Sequence, residues 1–383
     1  MNSRERVLVA LKHKEPDHVP FDLGGTVTSG IHYTAYRNLL NYLGYEDREV
    51  KIVEIIQQLA DVHEDILKKL KVDVRPIYGG LPSNWSLKIK DEEKYTTFID
   101  QWGIGWKKPK KNGLYYDLNT HPFADMTEPN EIKNYKFPAP EDPIRFKGVR
   151  ERAKKKLNTS NAVLALAGVS AGFLEMAYWL RGYEQFFIDL CSNRPMVEAI
   201  LDKTVENKIR YWKKALEEFG DLVDIVIEAD DFASQRGMII SPDMYRKFIK
   251  PRQQRLFSEI KNSRKDVFIF FHSCGSVYDI IPDLIEVGID ALNPVQVSAV
   301  NMDSKKLKKE FGNDITFWGG GIDTQNILSS GSPEEVKDET KRRINDFAPG
   351  GGFIFTPVHN VQADVPPENY MAMWEVWEEY GKY

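Results

Sequence analysis

Eight short runs of this chain are apolar almost throughout, and they constrain its fold more than any other feature. They are HVPFDL (18–23), VDVRPIY (72–78), AVLALAG (162–168), VDIVIEAD (223–230), DVFIFFH (266–272), IDALNP (289–294), ITFWGG (315–320) and GFIFTP (352–357). A strand with one wet face alternates apolar and polar residues. A run without that alternation reads as a strand covered on both faces, as in a parallel sheet flanked by helices. Segments of helical spacing separate most of the runs. EIIQQLADVHEDILKKLK (54–71) repeats its apolar residues at three and four and ends in lysines. SPDMYRKFIKPRQQRLFSEIKN (241–262) and SPEEVKDETKRRINDFAPGG (332–351) open on Ser-Pro, the expected helix start, and PPENYMAMWEVWEEY (366–380) is a fourth helix.

Strands alternating with helices predict the α/β class, and eight strands predict a closed (β/α)8 TIM barrel. At 383 residues the chain is read as one barrel domain, 1–383, because barrels with insertions reach this size. The insertion falls between early strands, at about 79–161. Within it YTTFIDQWGIGWKKPKKNGLYYDL (95–118) resembles a hairpin, and the proline-rich HPFADMTEPNEIKNYKFPAPEDP (121–143) reads as an ordered loop. Hydrophobic residues at 42% supply a large core. A net charge of -5 gives no electrostatic reason to expect nucleic acid. No run approaches the ~20 apolar residues that span a bilayer, so no membrane is expected. The opening MNSRERVLVALKHKEPDHVPF reads as a short helix capped by Ser3 rather than a secretory signal. Cys191 and Cys274 are the only two cysteines, which excludes a disulfide framework and suits a cytoplasmic location.

Chemistry concentrates where strands end. In FFHSCGS (270–276), His272 and Cys274 project to the same side as Phe268 and Phe270. In a barrel that side is the interior, and the pair sits at the C-terminal mouth. Imidazole and thiolate together suit Zn²⁺. Two other readings stand beside it: a buried cysteine packed as a small hydrophobe next to a hydrogen-bonded histidine, and a nucleophilic Cys–His pair. A zinc site needs further ligands. FTPVHNV places His359 just past the last strand, and IEADDF places Glu228, Asp230 and Asp231 at the end of another, as candidate catalytic carboxylates. In FWGGGIDTQ, Gly319, Gly320 and Gly321 are either a tight turn or a place where backbone approaches a cofactor.

RERVLVALKHKEPDHVPF, ISPDMYRKFIKP (240–251), FHSCGSVYDIIPDLIEVGIDALNPVQ (271–296) and APGGGFIFTPVHNVQADVPPENYMAM (348–373) together resemble the uroporphyrinogen decarboxylase superfamily. The resemblance spans nearly the whole chain and implies a (β/α)8 barrel. Its decarboxylases carry an arginine-rich segment after the first strand for the carboxylates of the tetrapyrrole. Here that place reads FDLGGTVTSGIHY, with no arginine before Arg37. The other branch comprises cobalamin-dependent methyltransferases, which share His-x-Cys and a later ligand. In the thiol-specific members that ligand is a cysteine; the matching position here is His359. The resemblance therefore implies zinc on His272, Cys274 and His359. It implies a methyl group moved between a small substrate (a methoxylated or methylated compound, or a thiol) and a corrinoid carried by a partner protein. Asp230 and Asp231 would orient substrate or handle protons. The alternatives are a uroporphyrinogen decarboxylase of haem biosynthesis and a non-catalytic corrinoid-docking barrel.

Overall fold

Seven of the eight apolar runs form one parallel sheet in the computed structural model, which describes residues 1–383. In chain order the strands are β1 (Ile52–Glu54), β2 (Leu59–Ala60), β3 (Val74–Ile77), β4 (Lys90–Asp91), β5 (Tyr95–Ile99), β6 (Gly105–Pro109), β7 (Asp117–Thr120), β8 (Val163–Ala167), β9 (Ile225–Ala229), β10 (Ala233–Ser234), β11 (Gly237–Met238), β12 (Phe268–His272), β13 (Ala291–Asn293), β14 (Thr316–Trp318) and β15 (Phe353–Ile354). The parallel sheet runs β15-β14-β13-β12-β9-β8-β3. The eighth run closes it. Phe21 makes a parallel bridge to Phe355, the Asp22 N–H donates to the Phe355 carbonyl at 2.9 Å, and the Asp73 N–H donates to the Phe21 carbonyl at 2.8 Å. The result is a TIM barrel whose first strand is held through a few bonds.

The barrel is filled, as the absence of polar alternation requires. Val74, Ala165, Ile227, Phe270, Trp318 and Ile354 converge inside it, with Phe270 and Trp318 edge-to-face at 5.0 Å. The helix Ser3–Leu11 packs Val7, Ala10 and Leu11 against this interior cluster. Its N-cap is Asn2, not Ser3: the Asn2 side chain accepts from the Glu5 N–H, and the Glu5 carboxylate accepts from the Asn2 N–H. On β12, Ile269 and Phe271 alternate with the inward Phe268 and Phe270, and they face the outer helices in a second, larger cluster.

Two helix expectations are corrected. The 54–71 segment is helical only over Glu64–Lys69. Its first half forms β1 and β2 instead, because the Glu54 carboxylate accepts the Ile56 and Gln57 N–H groups and turns the chain back. The 241–262 segment starts at Pro242 as expected, but widens to a π-turn over Tyr245–Ile249 before continuing as Lys250–Ser263. Pro251 sits in the first turn of that last helix and has no N–H to donate back. In the insertion the expected hairpin is a four-stranded antiparallel sheet, β4-β5-β6-β7, and the loop after it carries the short helix Pro129–Asn134. No helix is long and apolar enough to cross a membrane.

Candidate metal centre

β12 delivers His272 to the C-terminal mouth, beside Ala229 of β9 and Asn293 of β13. Its Nδ1 lies 2.5 Å from Asn293 Oδ1. Thr28 also donates to that oxygen, while Asn293 Nδ2 donates to the Trp318 carbonyl. Asn293 Oδ1 is thus an acceptor, so Nδ1 carries the proton and Nε2 presents a lone pair. Nε2 faces Cys274 Sγ at 3.4 Å. Cys274 lies past the strand end, its N–H held by Asp231 Oδ1 at 2.7 Å. His359 follows β15, its ring centroid 5.3 Å from that of His272.

One donor atom from each of His272, Cys274 and His359 lies within 4.8 Å of the others. This donor set fits a zinc ion, for which three such ligands leave a fourth position open. Burial, with His272 alongside, pushes His359 down to about 3, so its imidazole is neutral, the form that ligates. Burial pushes the Cys274 thiol well up, and Asp231 and Glu175 push it further. A cation between the donors would remove that penalty.

The carboxylates at the end of β9 divide. Asp231 lines the cavity above the triad and stands 3.7 Å from His272 Nε2. Asp230 does not line it. Its two oxygens accept the N–H groups of Phe173, Leu174 and Glu175, capping the helix Phe173–Arg181 from another strand. The residue at that helix's own N-cap is Gly172, where any Cβ would lie 2.1 Å from the Asp230 side chain. Glu228 is paired with Lys208 at 2.6 Å and with Trp212 Nε1 at 2.6 Å, all three buried. Asp230 and Glu228, expected from the sequence as catalytic carboxylates, thus have structural partners at both oxygens. Their acceptor atoms are already used.

The glycine turn is closely packed. A Cβ at Gly319 would lie 2.5 Å from the Pro294 carbonyl, at Gly320 3.0 Å from that of Val295, and at Gly321 2.6 Å from the Phe355 ring. These glycines, expected from the sequence as a tight turn or a cofactor's backbone contact, admit the neighbouring strand ends. Glu175 carries no signal of its own in the sequence. It belongs to a helix of apolar spacing, and only the fold turns it into the cavity beside Asp231. Burial, then Asp231 and Asp230, raise its carboxyl well above the usual range.

The cavity above the triad has a volume of about 1210 Å³. The barrel supplies its floor with His272, His359 and Asp231, and the insertion supplies a wall with Phe98, Trp106 and Tyr116.

The uroporphyrinogen decarboxylase family model matches residues 114–380. A methylated-thiol–coenzyme M methyltransferase of Methanosarcina mazei is 24% identical over 247 residues, covering 63% of this chain and 59% of that protein. A methylcobamide:CoM methyltransferase of Methanosarcina barkeri is 28% identical over 173 residues, covering 44% and 47%. The chain thus spans about half the length of these two relatives. A uroporphyrinogen decarboxylase of Bacillus subtilis is 24% identical over 298 residues, covering 70% and 77%. In three dimensions a methyltransferase from Methanosarcina mazei superposes with a TM-score of 0.67 at 19% identity, covering 99% of each chain. On the strength of the family match this chain belongs to the uroporphyrinogen decarboxylase family, and within it resembles the methyltransferase branch.

Proposed function

We propose that the protein is a zinc-dependent methyltransferase that moves a methyl group between a small substrate and a corrinoid held by a partner protein. The observation that carries this reading is the convergence of His272, Cys274 and His359, with His272 and His359 at the floor of a large cavity. Zinc bound there supplies Lewis acidity toward a substrate sulfur or oxygen. The chain's own residues do the rest. Asn293 holds His272 in the tautomer that offers Nε2. Asp231 holds the Cys274 backbone and faces His272. The raised carboxyl of Glu175 keeps a proton at the cavity surface, where a departing alkoxide or thiolate needs one. One thiolate among three ligands leaves the metal more acidic than two would, which favours demethylation of a methyl donor over methylation of a thiol.

The decarboxylase alternative asks for cations after the first strand. In their place Thr26, Thr28 and Ser29 form a buried network of hydroxyls bonded to one another. Such groups offer no counter-charge to a polycarboxylate. The test is metal analysis of purified protein, followed by methyl transfer to a corrinoid protein reduced to cob(I)alamin. Expected are roughly one zinc per chain and methylation of the corrinoid from a methoxylated or methylated donor. Porphyrinogen turnover without metal would establish the decarboxylase instead. A protein that binds the corrinoid partner but shows no rate in either assay would be a docking barrel.

A further inference from the structure

Resting on the methyltransferase reading, we infer that Lys108 anchors an oxyanion of the substrate, so the methyl-bearing compound is a carboxylate or sulfonate with a flat apolar body. Two cations line the cavity, Lys108 and Lys110. Lys110 is paired with Asp91 at 2.6 Å. Lys108 has no carboxylate within ion-pairing distance. Its Nζ donates to Gln58 Oε1 at 2.8 Å and lies 5.2 Å from the centre of the Tyr116 ring. The orientation of Gln58 is set, because its amide nitrogen donates to the Ile55 carbonyl and its oxygen therefore faces the lysine. An ammonium has three donors, and this one uses a single neutral acceptor. A half-buried cation held in place without a counter-charge is strengthened toward an incoming anion, since screening is weaker there than in bulk water.

The acids lining the cavity do not supply that counter-charge. Glu54 accepts backbone N–H groups of its own turn. Asp100 accepts from the Trp102 and Ile104 N–H groups and from Trp106 Nε1. Glu228 is taken by Lys208, Asp231 stands at the metal end, and Glu175 lies beside Asp231 with its carboxyl raised by burial and by that neighbour. The lysine is also tied to that end. Gln57, next to Gln58, accepts from Asn360 Nδ2 at 2.8 Å, and Asn360 follows His359. The body of the substrate would meet rings. Trp106, two residues before Lys108 on β6 and so on the same face, stacks on Phe98 at 6.4 Å and meets Trp179 edge-on at 5.2 Å. Such a wall favours a flat apolar group between the anchored anion and the metal.

The test is calorimetric titration of the zinc-loaded protein, without corrinoid, using two anions and their neutral counterparts. The pairs are 3-methoxybenzoate with methoxybenzene, and (methylthio)acetate with dimethyl sulfide; they separate an aromatic from a small aliphatic source of the oxyanion. Expected is binding of at least one anion that weakens by roughly 10- to 100-fold in Lys108→Met, as for a lost charge-assisted bond. Lys108→Arg should retain it, Lys110→Met should leave it unchanged, and the neutral probes should respond to neither. The inference is overturned if Lys108→Met binds the anions as wild type does, if it loses anions and neutral probes alike, or if neither anion binds wild type. Because no methyl transfer is read, charge-dependent binding in a protein that never methylates a corrinoid would sink the proposed function and leave the anchor standing.

Discussion

Two groups of polar side chains share the barrel mouth, and they have opposite uses. His272, Cys274 and His359 bring their donor atoms within 4.8 Å of one another, and the one hydrogen bond that His272 Nε2 and the Cys274 sulfur make is to each other. Glu228 and Asp230 look equally reactive in sequence, yet each has spent its acceptors: one on Lys208 and Trp212, the other on three N–H groups of a helix end. Residue type does not separate a site from its scaffold. What separates them is whether a lone pair is left over once internal partners are counted.

Experiments can break or sharpen this contrast, and the largest effect is expected at the triad. Cys274→Ser and His272→Ala should each remove zinc on metal analysis and with it all methyl transfer, while the metal-free proteins melt close to metal-free wild type. A large melting loss would make the triad scaffold after all. His359→Cys should keep most zinc, since thiolate serves zinc at least as well as imidazole. On the scaffold side, Lys208→Met strands the Glu228 charge and should cost about 3–5 kcal/mol in denaturant unfolding, with the Lys208→Met, Glu228→Leu pair recovering much of it. Phe270→Ala, emptying the barrel interior, should cost a similar ~3–5 kcal/mol with zinc still bound.

A buried acid between these extremes gives a smaller effect. Asp22 accepts from Trp318 Nε1 and the Gly25 N–H, yet burial still pushes its carboxyl up to about 6. The unfolded chain loses that proton first, so stability should fall as pH rises from about 4 to 6, by at most about 3 kcal/mol. Asp22→Asn should flatten that slope in urea titrations at stepped pH; an unchanged slope would clear Asp22. The smallest change is expected at Asp231, where Asn keeps an acceptor for the Cys274 N–H. Asp231→Asn should retain zinc and lower the methyl-transfer rate about tenfold, as for a group that orients a ligand. A loss of zinc would move Asp231 into the ligand set.

How much of this is legible in the sequence follows from how each signal travels. The barrel strands are readable because burial on both faces leaves a local mark, a run without polar alternation. His272 and Cys274 are readable because two residues on one strand end share a side at fixed spacing. The resemblance points to His359, and the fold brings it to the same place from a different strand. The 54–60 segment misleads because its helical spacing competes with the Glu54 side chain, which captures two N–H groups and bends the chain.

What the sequence by itself determined is the covalent pattern: eight apolar runs, the helix starts, and a histidine and a cysteine two apart at a strand end. Those properties rest on interactions within a few residues. The tertiary structure alone decided which carboxylates are spent, because Lys208, Trp212 and the end of the helix Phe173–Arg181 reach Glu228 and Asp230 from 16 to 57 positions away. It alone placed Glu175 in the cavity and left Lys108 without an acid. A free lone pair or an unpaired cation is the remainder after every partner has been placed, and partners distant in sequence are placed only when the chain has closed into a barrel.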